Sequence, residues 1–274
     1  MTKLHGRMAI GLLLLSTCPP GSPAVAATKA PAAKPAAQKP ASSTPATPSA
    51  IEPEAMAALE KSRAYLRTLT SSELRAEMTG DEVQDDGLKL EFMMRARYLW
   101  RGPDKLFIDW SSDRIVRRLY FNGSTVTLLA PRTGYYAQVQ QPGTVSNVLI
   151  HAAVDYGIIF PLPDILLWAT KGDDPVDIKA AFKVGYARIA GVDTDQYVFR
   201  QSDVDWQVWI QRGDQPLPRK IVITTLDDPV QPKLSALLQW NVNPQIPDAT
   251  FDFTPPPGTA SIGLVKLNAA EPRK

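Results

Sequence analysis

The sequence predicts an α+β, mainly β fold: one large curved antiparallel sheet of about ten or eleven strands under about three helices. Three observations lead there. Apolar and polar side chains alternate with period two over most of the chain after residue 71, most clearly from Leu88 to Arg101. The alternating runs are separated by short turn signals, among them Asp85-Asp86-Gly87, Asn122-Gly123 and Gly213-Asp214. Helical spacing occurs in few places, once ahead of the strands and again between residues 144 and 170.

The 274 residues begin with an address rather than a fold. Residues 1–27 read as an export signal: Lys3 and Arg7 supply the positive start, Met8 to Thr17 the apolar run, and Ala24-Val25-Ala26 the small-residue cleavage pattern. The apolar run is far short of the roughly 20 residues that span a bilayer. Cys18 stands open between two readings. It is a small apolar residue discarded with the signal, or it is the lipidation site of a membrane-anchored lipoprotein, since Leu15-Ser16-Thr17-Cys18 resembles a lipoprotein box. Residues 28–50 are Ala, Pro, Lys, Ser and Thr almost throughout, and they predict a disordered, partly extended tether. The chain carries a net charge of +2, but Lys3, Arg7, Lys29, Lys34 and Lys39 precede residue 51 and every acid follows it. From residue 51 onward 25 basic residues therefore face 28 acidic ones, a net of −3, and nucleic-acid binding has no electrostatic support.

The folded domain is expected over 51–264, with 265–274 a disordered tail. Pro53 beside Glu52 and Glu54 suits a helix start, and Met56, Leu59, Leu66 and Leu69 form one apolar face of a helix over 53–69. Leu74, Ala76 and Met78 then alternate with Glu73, Arg75 and Glu77 in a first strand. The next run puts Leu88, Leu90, Phe92, Met94, Ala96, Tyr98 and Trp100 on one face and Lys89, Glu91, Arg95, Arg97 and Arg101 on the other. Further strands are expected at 105–111, 115–122, 125–130 and 135–140, the middle pair joined by the hairpin signal Asn122-Gly123. Val145, Val148, Leu149, Ala152, Ala153 and Tyr156 have helical spacing, and 164–170 reads as a second short helix. Strands resume at 181–190, 195–201, 205–212, 218–226 and 233–243, with a short last one at 249–253.

A sheet of this size with one apolar face curls, and only the helices are available to cover its concave side. The inward set includes Leu90, Phe92, Met94, Ile108, Trp110, Leu234, Ala236, Leu238 and Trp240. These side chains either interdigitate with the helices as a solid core or line an apolar cavity; both outcomes stay open.

Four segments carry a family resemblance. They are Ala58-Leu59 through Tyr65-Leu66 to Leu74-Arg75-Ala76-Glu77; Arg101-Gly102-Pro103-Asp104-Lys105-Leu106-Phe107-Ile108-Asp109-Trp110; Phe121-Asn122-Gly123-Ser124 followed by Leu129-Ala130-Pro131; and Phe251-Asp252-Phe253-Thr254-Pro255-Pro256-Pro257-Gly258. In this order the chain resembles the LolA/LolB-type lipoprotein-carrier superfamily. It is most similar to a group of predicted periplasmic proteins within it, to which Asp205-Trp206-Gln207-Val208-Trp209-Ile210 and Pro216-Leu217-Pro218-Arg219-Lys220 also point. The resemblance implies an incomplete (half) barrel closed by helices over an apolar cavity that receives acyl chains. It implies a periplasmic location, Arg101 as the latch that holds a lid closed, and Cys18 as the anchor if that residue is processed.

One Cys and two His exclude a disulfide framework, a Cys/His zinc site and a multi-His catalytic centre. No Gly-x-Ser-x-Gly motif accompanies His151, which reads as structural or solvent-facing. Asp203 and Asp205 beside Trp206 and Trp209 leave a paired-carboxylate hydrolase as the enzymatic alternative. The leading expectation is a non-enzymatic, monomeric carrier of lipid or lipoprotein acyl chains, with no catalytic residue, metal or cofactor. Its cavity residues would be Leu90, Phe92, Met94, Ile108, Trp110, Leu234, Leu238 and Trp240. The alternative of the same fold is a lipoprotein-stress sensor or scaffold that acts through a membrane or envelope protein partner.

Overall fold

The computed structural model describes residues 51–170 and 177–267. The export signal with Cys18, the Pro-rich tether and the last seven residues lie outside the described residues. In chain order the elements are α1 (Pro53–Thr68), β1 (Ser71–Val83), β2 (Lys89–Arg101), β3 (Lys105–Ser112), β4 (Val116–Phe121), β5 (Thr125–Ala130), β6 (Tyr135–Gln140), α2 (Val145–Tyr156) and α3 (Pro163–Thr170). There follow β7 (Ala180–Ile189), β8 (Val192–Arg200), β9 (Val204–Gln211), β10 (Pro218–Thr225), β11 (Lys233–Val242) and β12 (Ala260–Ser261), with a 3₁₀ turn at Asp248–Thr250 before the last.

The twelve strands of the described residues form one sheet in the order β12-β6-β5-β4-β3-β2-β1-β11-β10-β9-β8-β7. Each hairpin neighbour pairs antiparallel, and β1 pairs with β11 to join the two halves; only β12 runs parallel to its neighbour β6. The two edge strands, β7 and β12, do not meet, so the sheet is an incomplete barrel.

Why one face is oily follows from the register. Because side chains alternate, directly opposed residues share a face. One row across the sheet reads Trp240, Leu74, Tyr98, Ile108, Leu119, Leu128, Ala137; the row beside it reads Val242, Ser72, Trp100, Leu106, Phe121, Val126, Val139. On the other half Leu234, Ile223, Trp206 and Phe199 continue the same face. These rows pack with Ala55, Leu59 and Leu66 of α1, Val145, Val148 and Leu149 of α2, and Ile165, Leu166 and Trp168 of α3 into one core. Aromatic pairs tie cover to sheet: Trp110 meets Phe160 edge-on at 6.5 Å, and Trp206 lies between Trp168 and a stacked Phe199 at 4.2 Å. The buried Tyr98 hydroxyl donates to the Pro161 carbonyl in the connection between α2 and α3. Desolvation pushes that phenol far above its usual range, so it stays a donor.

The opposite face carries charge and a crossing strap. Arg75 and Arg97 sit directly opposite each other, and the buried Glu73 carboxylate accepts from both at 2.8 Å. Burial alone would raise the Glu73 pKa, but the Arg97 and Arg75 hydrogen bonds outweigh it and hold the carboxyl below its usual range.

The segment expected as a last strand at 249–253 is not one. After β11 the chain crosses the outer face of the sheet, with Phe251 buried against Leu99, Ile246 and Phe107. Phe253 sits between Tyr120 and Tyr136, and Asp252 accepts from the Asn122 amide at 2.9 Å. Period-two alternation placed both Phe rings on the sheet without any backbone ladder. The last strand comes later, at β12. The chain also continues past residue 264 in contact with α2: Leu267 N–H donates to the Asp155 carbonyl at 2.7 Å.

Candidate functional site

An apolar crevice opens where α2 lies over β4, β5 and β6. Short connections put it there, since four residues join β6 to α2 and the helix must fold back on the hairpins just completed. Thr144 caps α2 by accepting the Asn147 N–H, and Gly157 ends it in the left-handed conformation at φ 65°. Val148, His151, Ala152 and Tyr156 fall on one side of the helix by their three- and four-residue spacing, and all four line the crevice. Leu119, Val126, Leu128 and Val139 line it from the sheet, and Gln141, Ile158, Phe160 and Leu264 complete the lining. The cavity itself is small, about 30 Å³; about 410 Å³ is reached only when the surrounding space between atoms and open solvent are counted with it.

Polar groups are few here. His151 Nδ1 is 3.3 Å from Asp155 Oδ2, and Lys266 Nζ lies 3.1 Å from the same oxygen. The Lys266 hydrogen bond above all, joined by that of His151, holds the Asp155 carboxyl below its usual range against an opposing effect of desolvation. The lining contains no Ser, Thr or Cys side chain beside His151. The lining can make apolar contact with hydrocarbon, and it offers no nucleophile paired with a base.

A second depression, between α1 and the β9–β10 turn, is polar. Its Lys61 ammonium donates to the Gly213 carbonyl at 3.2 Å, and Arg212 pairs with Asp195 at 3.5 Å. Arg212 and Asp195 thus answer each other, while Lys61 is held by a backbone carbonyl. Among the described residues no cluster of three His, Cys, Asp or Glu side chains is placed to hold a metal ion.

The eight residues expected to line a cavity lie on the concave face, but none lines the crevice. Ile108, Leu234 and Leu238 are buried in the core; Met94, Trp110 and Trp240 pack partly buried against it. Leu90 and Phe92 stand farther along the β1–β2 ribbon, where the Arg114 guanidinium lies 4.1 Å over the Phe92 ring. Arg101 faces the outer side: it donates to the Ile246 carbonyl at 3.0 Å, pairs with Asp248 and lies over the Phe251 ring. These partners belong to the crossing strap rather than to α1, α2 or α3. Asp205, half of the hydrolase alternative, is held by Arg200 through two hydrogen bonds of 2.8 and 2.6 Å.

Sequence reasoning missed the crevice because it treated the inward face as one surface. The lining residues from the sheet alternate within strands it placed correctly, and α2 carries the helical spacing it recognised. The usable signal was the four-residue connection that forces α2 onto β4–β6.

The model of the family described as predicted periplasmic proteins (DUF2092) matches residues 55–265. The chain is a DUF2092 protein. The periplasmic location expected from the N-terminus is therefore also the family's own description. No curated protein is significantly similar to this DUF2092 chain. Among solved structures, the lipoprotein LppX of Mycobacterium tuberculosis is similar over 71% of this chain and 98% of its own, at 12% identity and a TM-score of 0.43. LprF from Mycobacterium bovis is similar over 77% and 99%, at 13% identity and a TM-score of 0.43. A LolA superfamily protein from Nitrosomonas europaea is similar over 73% and 97%, at 10% identity and a TM-score of 0.36. All three likenesses are distant.

Proposed function

We propose that this DUF2092 protein is a non-enzymatic periplasmic binding protein that shelters an aliphatic chain, of a lipid or of a lipoprotein's acyl group, in the crevice beneath α2. The observation that carries the reading is the lining itself: every lining residue but Gln141 and His151 is aliphatic or aromatic. Each methylene moved from water into such a site contributes about 0.8 kcal/mol, so a few of them offset a good part of the cost of association. No bond needs to be made or broken for that work.

Fluorescence titration with cis-parinaric acid, a fatty acid that emits only when its chain leaves water, tests the reading. The protein should bind it saturably. Ala152→Phe, which fills the crevice from α2, should weaken binding at least tenfold, while Lys61→Ala in the polar depression should leave it unchanged. Equal binding by wild type and Ala152→Phe would remove the crevice as the site.

A further inference from the structure

The C-terminal end of the described chain runs along this crevice, with Leu264 in its lining. Up to Phe253 the strap is held firmly, with Phe251 buried and Phe253 wedged between Tyr120 and Tyr136. Pro255, Pro256 and Pro257 follow, all exposed, and then Gly258 at φ 79° with open space around the position of a Cβ. The turn is closed locally, the Thr259 N–H and hydroxyl both donating to the Pro256 carbonyl at 3.2 and 2.7 Å, so the chain beyond it can pivot about this turn.

Beyond this turn the hold is light. Of residues 260–267, seven are exposed and one, Leu264, is not. Leu264 is also one of the residues that line the crevice, and the one that this segment contributes. Ile262 and Leu267 leave about half of their surface in water, and Val265 is 85% exposed, so the segment has little apolar burial apart from Leu264. Among the described residues its attachments are a two-residue parallel strand on β6, the N–H groups of Ala260 and Ile262 donating to the Gly134 and Tyr136 carbonyls, and a far anchor on α2. The far anchor is the Leu267 N–H on the Asp155 carbonyl with the exposed Lys266–Asp155 ion pair beside it. The other long ribbon of the sheet, β1 with β2, is held instead by thirteen paired residues. Segments with exposed hydrogen bonds and little apolar burial open first.

We infer that residues 260–267 form a displaceable flap, hinged at Pro257-Gly258, whose Leu264 side chain keeps its place in the crevice lining until an aliphatic chain takes it. The inference rests on the crevice being the binding site. Leu264 offers the crevice the same kind of surface that a ligand chain would offer, so an entering chain replaces the apolar contact it breaks. A ligand that binds only the open form shifts the flap toward opening by its own affinity, and the flap in turn lowers the apparent affinity by the fraction of time it is closed.

The test uses the full mature chain and cis-parinaric acid. Leu264→Ser removes the plug, and the affinity should rise about fivefold to tenfold, the factor that corresponds to giving up a part-buried Leu side chain. Lys266→Glu sets a like charge against Asp155 and loosens the far anchor without touching the lining, and it should tighten binding about threefold. In the wild type, the Ile262 and Leu267 amides should exchange with solvent faster when the probe is bound. Unchanged affinity in both variants, with unchanged exchange at those amides, overturns the flap while leaving the crevice as the site. No saturable binding by wild type or either variant overturns the crevice and the flap together.

Discussion

Replacing Asp164 by Asn should stabilise the protein at neutral pH and lose much of that advantage in acid. Asp164 follows Pro163 in the first turn of α3, within the helical cover. Desolvation there pushes its carboxyl from 3.8 up to about 6, partly opposed by a hydrogen bond from its own backbone N–H. A folded pKa above the unfolded one means that the native state holds the proton more tightly. The carboxyl therefore costs nothing below about pH 3, where both states are protonated, and costs increasingly as pH rises through 6. A rise of about two units corresponds to about 3 kcal/mol at most above pH 7. The favourable effect of an acid at a helix N-terminus is only about 0.3–1 kcal/mol, so burial wins. Asn keeps the shape and cannot ionise. Urea unfolding followed by tryptophan fluorescence should show Asp164→Asn more stable by about 1–3 kcal/mol at pH 7.5 and by about half that at pH 5. An equal gain at the two pH values, or a loss at pH 7.5, refutes the reasoning.

Arg101→Leu should lower stability by about 1–2 kcal/mol through the lost clasp on Ile246, Asp248 and Phe251, and should leave cis-parinaric acid affinity unchanged. Tighter retention of the chain in that variant would support a latch role for Arg101. Tyr98→Phe leaves the Pro161 carbonyl without its buried donor and should cost about 1–2 kcal/mol in urea unfolding. Glu73→Gln takes the negative charge from between Arg75 and Arg97, which face each other across β1 and β2. It should cost about 1–2 kcal/mol at pH 7, and the difference from wild type should shrink as acid protonates Glu73 below its depressed pKa.

Much of the fold was legible because period-two alternation survives wherever a strand has one oily and one wet face. The run from Leu88 to Trp100 shows this, although Leu88 itself lies exposed in the turn before β2. The same rule misled at Phe251-Asp252-Phe253, since a strap that crosses a sheet at an angle also turns every second side chain toward it. β12 carries no such signal, because Ala260 and Ser261 are both exposed and bury nothing. Arg101 was readable in outline. It shares its parity with Arg95 and Arg97, the polar face of β2, and so lies opposite Trp100 and the helical cover; the resemblance to carriers drew attention to its chemistry rather than its side. The crevice was not legible from composition, because Leu119, Val126 and Val148 look the same in a filled core as around an empty space. Which of the two results depends on how far α2 stands off β4–β6, and periodicity does not encode that distance.

The crevice as a chain-binding site is tested most directly by native mass spectrometry of the mature protein released from a bacterial periplasm, compared with its Ala152→Phe variant. The wild type should carry a heterogeneous added mass that yields fatty acids on extraction, and the variant should fly as the bare polypeptide. Bare polypeptide in both samples, or the same added mass in both, would contradict the account.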